Sequence, residues 1–131
     1  MTRLAIAVLI SFFCLAAAAH KDPFAGRWKV TITPDDMSAA KEFDDVFFFD
    51  PGFKFRVKSL ESRGYKPAEY EQDVRAVGPA KFTATLVSDS DGKMDWQGTA
   101  AANEMRGTMT WTKKDGTQLT YSFHGSRETH R

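Results

Sequence analysis

The fold is decided by residues 81–125, which read KFTATLVSDSDGKMDWQGTAAANEMRGTMTWTKKDGTQLTYSFHG. Apolar and polar side chains alternate along four runs of this stretch, and turn sequences such as Asp91-Gly92 and Asp115-Gly116 separate the runs. A period of two is typical of strands that bury one side and expose the other. Asp-Gly favours the positive φ angles that tight hairpins require. The stretch therefore predicts four consecutive antiparallel strands.

The same alternation continues towards the N-terminus, where Trp28, Val30 and Ile32 alternate with charged and hydroxyl side chains. Short connections such as Asp50-Pro51-Gly52 indicate that consecutive strands are antiparallel neighbours. The longer connection after the first strand predicts a helical turn over Met37–Lys41. In all, the sequence predicts eight strands, at 26–32, 43–50, 53–59, 69–76, 80–88, 93–101, 104–112 and 117–125.

Eight amphipathic strands in a meander can form a two-layer sandwich or a closed barrel. Closure leaves no unpaired edge, and an eight-stranded barrel holds side chains or one small ligand. The inward Gly98 and Gly107 would relieve crowding where the strands coil sharply. We therefore predict an all-β fold, an eight-stranded antiparallel up-and-down barrel. The charged outer face argues against an outer-membrane barrel and against stable membrane insertion.

The first nineteen residues have the features of a cleavable signal peptide. Met1-Thr2-Arg3 is a short basic start, Leu4 to Leu15 is an apolar run, and Ala16 to Ala19 supplies small residues for cleavage. The apolar run is too short to span a bilayer. We expect residues 1–19 to be removed and residues 20–131 to form one exported domain, periplasmic or secreted.

Composition argues against several classes of function. The chain has 131 residues, with 18 Lys and Arg against 17 Asp and Glu, so it lacks the basic excess of a nucleic-acid-binding domain. Arg3 and the single cysteine, Cys14, belong to the predicted signal peptide. The exported domain would therefore be neutral and would have no thiolate nucleophile or metal ligand. No nucleophile-base pair or metal-ligand cluster emerges from the spacing, so we predict no catalytic residues, no metal site, no cofactor and no enzymatic activity.

A short motif connects the two ends of the predicted barrel. Gly26-Arg27-Trp28 opens the first strand, and Arg127 follows the last one. This combination resembles the lipocalins and their calycin relatives, whose Gly-x-Trp motif begins the first strand and whose Trp is often covered by such an Arg. The resemblance covers the whole exported domain and implies structural roles for Gly26, Trp28 and Arg127. The chain lacks the Thr-Asp-Tyr motif, any disulfide and a long helix before the last segment.

The predicted strand register gives each inward side chain a depth between two ends of the barrel. These are a closed pole, where Trp28 and Arg127 would meet, and a mouth bordered by residues 33–42 and 60–68. Phe53 is placed at the closed pole, whereas Phe43 and Tyr70 are placed near the mouth. The polar side chains predicted to point inwards include those of Asp45 and Gln72. The candidate ligand-binding residues of the middle and mouth layers are Phe43, Asp45, Phe47, Phe55, Tyr70, Gln72, Trp96, Met109, Trp111 and Tyr121.

The inward Asp45 has two interpretations, because a buried carboxylate is costly without a partner. It could contact a ligand or a cation from a loop, or a β-bulge could place it in solvent. Two functions also stay open. The first is an exported binding protein that holds a small apolar ligand inside the barrel. The alternative is a filled barrel that presents loops to a protein partner of unknown identity, for example as a periplasmic protease inhibitor.

Overall fold

The computed structural model describes residues 22–35 and 41–128. Within them, eight antiparallel strands close into a barrel in sequence order, which confirms the predicted fold class. The predicted signal peptide at 1–19 and most of the predicted helical turn at 37–41 lie outside the described residues. The strands are β1 (Gly26–Pro34), β2 (Phe43–Asp50), β3 (Lys54–Val57), β4 (Ala68–Asp73), β5 (Ala80–Ser88), β6 (Gly92–Ala101), β7 (Glu104–Thr112) and β8 (Gln118–Arg127).

Closure is produced by pairing of the first strand with the last. The β1–β8 ladder runs from the pair Trp28–Arg127 to the pair Pro34–Tyr121. Along β5, every second residue from Ala80 to Ser88 is buried and the residues between them are exposed. This is the pattern that the alternation of the sequence predicts, because inward side chains meet those of the other strands and outward ones meet water.

The third and fourth strands are shorter than the sequence predicts. A 3₁₀ helix, Lys58–Arg63, begins directly after β3 and ends at Gly64, whose φ of 85° suits glycine. It carries the chain over the mouth, so β3 and β4 are joined in register only through Lys54–Glu69 and Phe55–Ala68. No helix among the described residues is long and apolar enough to cross a membrane.

Two of the predicted side-chain positions, those of Phe53 and Tyr70, are wrong. Phe53 lies in the turn before β3 with a φ of 58° and is 51% exposed, because the Pro51-Gly52 turn continues into it. Phe43 lies at the mouth as predicted, but it is 44% exposed, since it is the first residue of β2 at the rim of the barrel. Tyr70 lies at the closed pole rather than the mouth, because its amide donates to the Phe53 carbonyl beside the β2–β3 turn.

Candidate functional site

The middle of the barrel, where the sequence predicts a pocket, is filled by aromatic rings. The centroid of the Phe47 ring lies 5.3 Å from Phe55, 5.1 Å from Trp96 and 5.0 Å from Phe123. The interplanar angles of 77–81° are the edge-to-face arrangement that aromatic pairs favour. All four side chains are buried. Phe47, Phe55 and Trp96 are therefore brought together as predicted neighbours, but they contact one another.

The closed pole contains an aromatic residue that sequence reasoning missed. Phe24 precedes β1, is fully buried, and has its ring 5.5 Å from Phe49 and 5.2 Å from Phe82. Its carbonyl accepts a 2.8 Å hydrogen bond from Trp28 Nε1. A large apolar residue between the predicted signal peptide and the first strand was the signal available in the sequence. Phe24 plugs this end of the barrel.

The three residues of the predicted structural motif meet at the same pole. The guanidinium carbon of Arg127 lies 4.4 Å from the centroid of the Trp28 ring. Its nitrogens donate to the carbonyls of Pro23 and Ala25, and burial lowers the pKa of this guanidinium. Gly26 adopts a φ of 114°, which a side chain would strain. The hydrogen bonds of Arg127 connect the segment before β1 to the end of β8.

Tyr70 also belongs to the closed pole, where it has a polar anchor. Its ring centroid is 5.0 Å from Phe49, at an interplanar angle of 89°, and its hydroxyl donates to the carboxylate of Asp22. Burial, and then the hydrogen bond to Asp22, raises the pKa of Tyr70 above that of an ordinary tyrosine. Tyr70 is therefore separated from the mouth residues with which the sequence analysis grouped it.

The mouth is covered by residues 58–65, which follow β3 and are called the cover. Leu60 and Tyr65 are buried there. The Tyr65 hydroxyl donates to Asp91 Oδ2 at 3.0 Å, and Trp111 Nε1 donates to the Asp91 carbonyl at 2.9 Å. Burial, followed by the hydrogen bond to Asp91, raises the pKa of Tyr65 to about 12. Trp111, a predicted ligand contact, thus joins β7 to the β5–β6 turn, and Asp91 joins that turn to the cover through Tyr65 and Arg63.

Asp45 points inwards and anchors this cover. It is 8% exposed. Its carboxylate accepts hydrogen bonds from the Ser59 amide at 3.1 Å, the Ser59 hydroxyl at 2.5 Å and the Val46 amide at 2.9 Å. The β1–β2 register continues through the pair Val30–Asp45 without interruption, so the β-bulge interpretation is wrong. Neither an Arg nor a Lys is among these partners; the serine and two backbone amides satisfy the carboxylate.

Removing the Asp45 carboxylate should loosen the cover. We expect Asp45→Ala to lower the free energy of unfolding by about 1–3 kcal/mol, because three donors lose their acceptor. Asp44→Ala is the matched control, since Asp44 is exposed and accepts one side-chain hydrogen bond among the described residues, from Thr31 Oγ1. It should change stability by about 0.5 kcal/mol or less. Urea unfolding of both variants measures the difference; equal losses would contradict the anchoring role.

Two polar atoms in the interior have no hydrogen-bond partner among the described residues: Trp96 Nε1 and Gln72 Oε1. They are a donor and an acceptor, and each unsatisfied buried group of this kind costs about 1–3 kcal/mol. The remaining candidates, Met109 and Tyr121, face each other across β7 and β8. Met109 is buried and Tyr121 is half-buried. The interior is thus chiefly apolar, with two polar atoms available to a guest.

The outer surface holds grooves that sequence reasoning missed, because it treated outward residues as solvated faces. Two grooves have volumes of about 690 Å³ each. One lies over β5–β8 and includes Lys81, Arg106 and His124. The other lies over β1 and β2 and includes Lys29 and Asp44. The available signal was the succession of basic and hydroxyl residues at the outward positions of β5–β8.

The chain matches no protein-family model and no curated protein.

Proposed function

We propose that this protein is an exported, lipocalin-like recognition module that acts by binding a partner on the outside of a filled barrel. The observation that carries this proposal is the closure of rings around Phe47, whose centroid lies 5.0–5.3 Å from those of Phe55, Trp96 and Phe123. Aromatic rings in contact at these distances leave little room for a ligand between them. The outer grooves, in contrast, have volumes typical of ligand sites.

The two ends of the barrel support the same proposal. Phe24 fills the closed pole, and Leu60 and Tyr65 cover the mouth. Asp45 holds the cover through Ser59. A guest would therefore have to displace both packed side chains and hydrogen bonds. Recognition at the outer surface needs neither change, so it agrees better with a preformed site.

The test is the mass of the native protein after export. We expect native mass spectrometry of the protein, purified from the exported fraction, to give the mass of residues 20–131 with no bound small molecule. Fatty acids and other apolar compounds should leave its melting temperature unchanged. Phe47→Ala is the positive control, because it leaves a cavity lined by apolar side chains at the centre of the barrel. A dry cavity of this kind can take up a small aromatic compound. A co-purifying apolar ligand that stabilises the unaltered protein would overturn the proposal.

A second candidate is a barrel that binds a small apolar ligand with a polar group. The observation that favours it is the pair of unpartnered interior atoms, Trp96 Nε1 and Gln72 Oε1. A ligand hydroxyl or carbonyl would accept from Trp96 Nε1, and a ligand hydroxyl would donate to Gln72 Oε1, which relieves their desolvation cost. Such binding requires the rings around Phe47 to move apart. The measurement above decides between the two functions, because this candidate predicts a bound mass and the first predicts none.

A further inference from the structure

The groove over β5–β8, called the basic groove here, has a floor of closely packed main chain. Gly98 and Gly107 are paired across β6 and β7 and line it. A Cβ built on Gly107 would lie 2.1 Å from the Gln97 carbonyl oxygen. Only glycine permits such a close approach of two strands. The floor is therefore fixed by the fold, which favours a preformed site of about 690 Å³.

Three basic side chains lie in one row across the basic groove. The strand register pairs Lys81 with Thr99, Thr99 with Arg106, and Arg106 with His124. Because neighbouring strands are about 4.8 Å apart, the row extends over about 14 Å. All three residues are exposed. The row therefore presents basic groups at fixed spacings along the groove.

Like several surface lysines of the barrel, the basic side chains of this row have no acidic partner among the described residues. Within residues 22–35 and 41–128, the ion pairs do not include Lys81, Arg106 or His124. Asp73 is next to Lys81 in register, but its carboxylate pairs with Arg75 at 3.5 Å. The cationic groups of Lys81 and Arg106 are therefore available to an anionic ligand, and Arg106 can bind a carboxylate or sulfate with two parallel hydrogen bonds.

A second row beside the first supplies neutral hydrogen-bonding groups. The register pairs Thr83 with Gln97, Gln97 with Thr108, and Thr108 with Ser122. Gln97 Nε2 donates to Thr108 Oγ1 at 3.1 Å, which orients the amide. Ser122 Oγ donates to Asp35 Oδ1 at 2.6 Å and is left to accept from a ligand. The remaining hydroxyls and the amide can both donate and accept, so they suit the hydroxyl groups of a ligand. An occupant that matches both rows carries acidic groups on a polyhydroxylated chain.

We propose that the basic groove binds an acidic saccharide, with its carboxylate or sulfate groups on the Lys81–Arg106–His124 row and its hydroxyls on the neighbouring row. This inference rests on the proposed function, because it names the partner of the outer surface. An acidic peptide fits less well, since protein interfaces depend on apolar anchors and the exposed groove side chains are polar. Single-stranded nucleic acid fits less well, because the lining rings of Phe82 and Phe123 are buried and offer no stacking platform.

The test compares two double variants of equal charge. Lys81→Gln with Arg106→Gln removes two cations from the basic groove, whereas Lys66→Gln with Lys114→Gln removes two exposed cations elsewhere. Binding of oligogalacturonate is measured by calorimetry at low salt, with maltotetraose as the neutral probe and polyglutamate as the acidic peptide. We expect at least a tenfold loss of oligogalacturonate affinity in the groove variant, less than a twofold loss in the control, and weaker binding at higher ionic strength.

Several results would overturn the groove proposal. These are no binding of oligogalacturonate by the unaltered protein, equal losses in the two double variants, and polyglutamate or maltotetraose binding as tightly as the acidic saccharide. Circular dichroism of both variants confirms that they fold, so a loss of affinity reports the groove. The proposed function fails separately, through an apolar ligand that co-purifies inside the barrel.

Discussion

Replacing Phe47 by alanine should lower the free energy of unfolding by about 3–5 kcal/mol, the range for a buried phenylalanine. Phe47 is fully buried and its ring packs edge-to-face on Phe55, Trp96 and Phe123 at once. Its removal leaves a void that these neighbours can fill only by leaving their rotamers. Against a total stability of about 5–15 kcal/mol for a domain, the loss would be severe.

The control for this experiment lies on the same strand. Phe43→Ala removes the same side chain from a position that is 44% exposed, so it should cost about 1 kcal/mol or less. Urea unfolding with two-state analysis gives both values. If Phe47→Ala cost no more than Phe43→Ala, the centre of the barrel would not be packed as described, and an interior ligand would become the better hypothesis.

The second large effect is expected at Gly107. Its inward Cβ would lie 2.1 Å from the Gln97 carbonyl oxygen and 2.5 Å from the edge of the Phe123 ring. Main chain cannot yield as a flexible side chain can, so β6 and β7 would have to separate. We expect Gly107→Ala to cost about 3 kcal/mol, at the upper end of the range for overpacked sites, and to distort the basic groove above it.

Gly52→Ala provides the comparison for Gly107→Ala. Gly52 has a φ of 83° and nothing within 4 Å of a built Cβ. Alanine there incurs backbone strain alone, about 1 kcal/mol. Thermal and urea unfolding of the two variants separate the cost of conformation from the cost of crowding. Equal losses would show that the close approach of the strands at Gly107 relaxes without penalty.

The fold could be predicted because its information is local. Alternation and turn sequences identify β5 and β7 with their observed ends, and β6 and β8 with errors of at most two residues at an end. The sequence places Tyr70 at the wrong pole because the register of β4 is set by a long connection rather than by a hairpin. Alternation gives the side of the sheet on which a residue lies, but the connection determines where each strand begins against its neighbour.

The candidate site was less predictable, because it depends on contacts between distant segments. The alternation along β2 correctly places Asp45 inside the barrel, but nothing in the local sequence indicates that Ser59 supplies two of its hydrogen-bond donors. Phe24 lies outside any alternating run, so periodicity does not place it. The basic groove requires the register of four strands to be known together before Lys81, Arg106 and His124 can be put in one row.

The short β3–β4 ladder described above makes the barrel wall uneven. Lys54–Glu69 and Phe55–Ala68 are the register pairs that close this part of the wall, whereas β6 and β7 are paired from Lys93–Thr112 to Ala101–Glu104. A folded domain opens locally where its strands share the fewest hydrogen bonds and contacts. Solvent therefore reaches the aromatic interior most readily between β3 and β4. A small molecule could reach Phe55 by this route while the opposite wall, which carries the basic groove, stays folded.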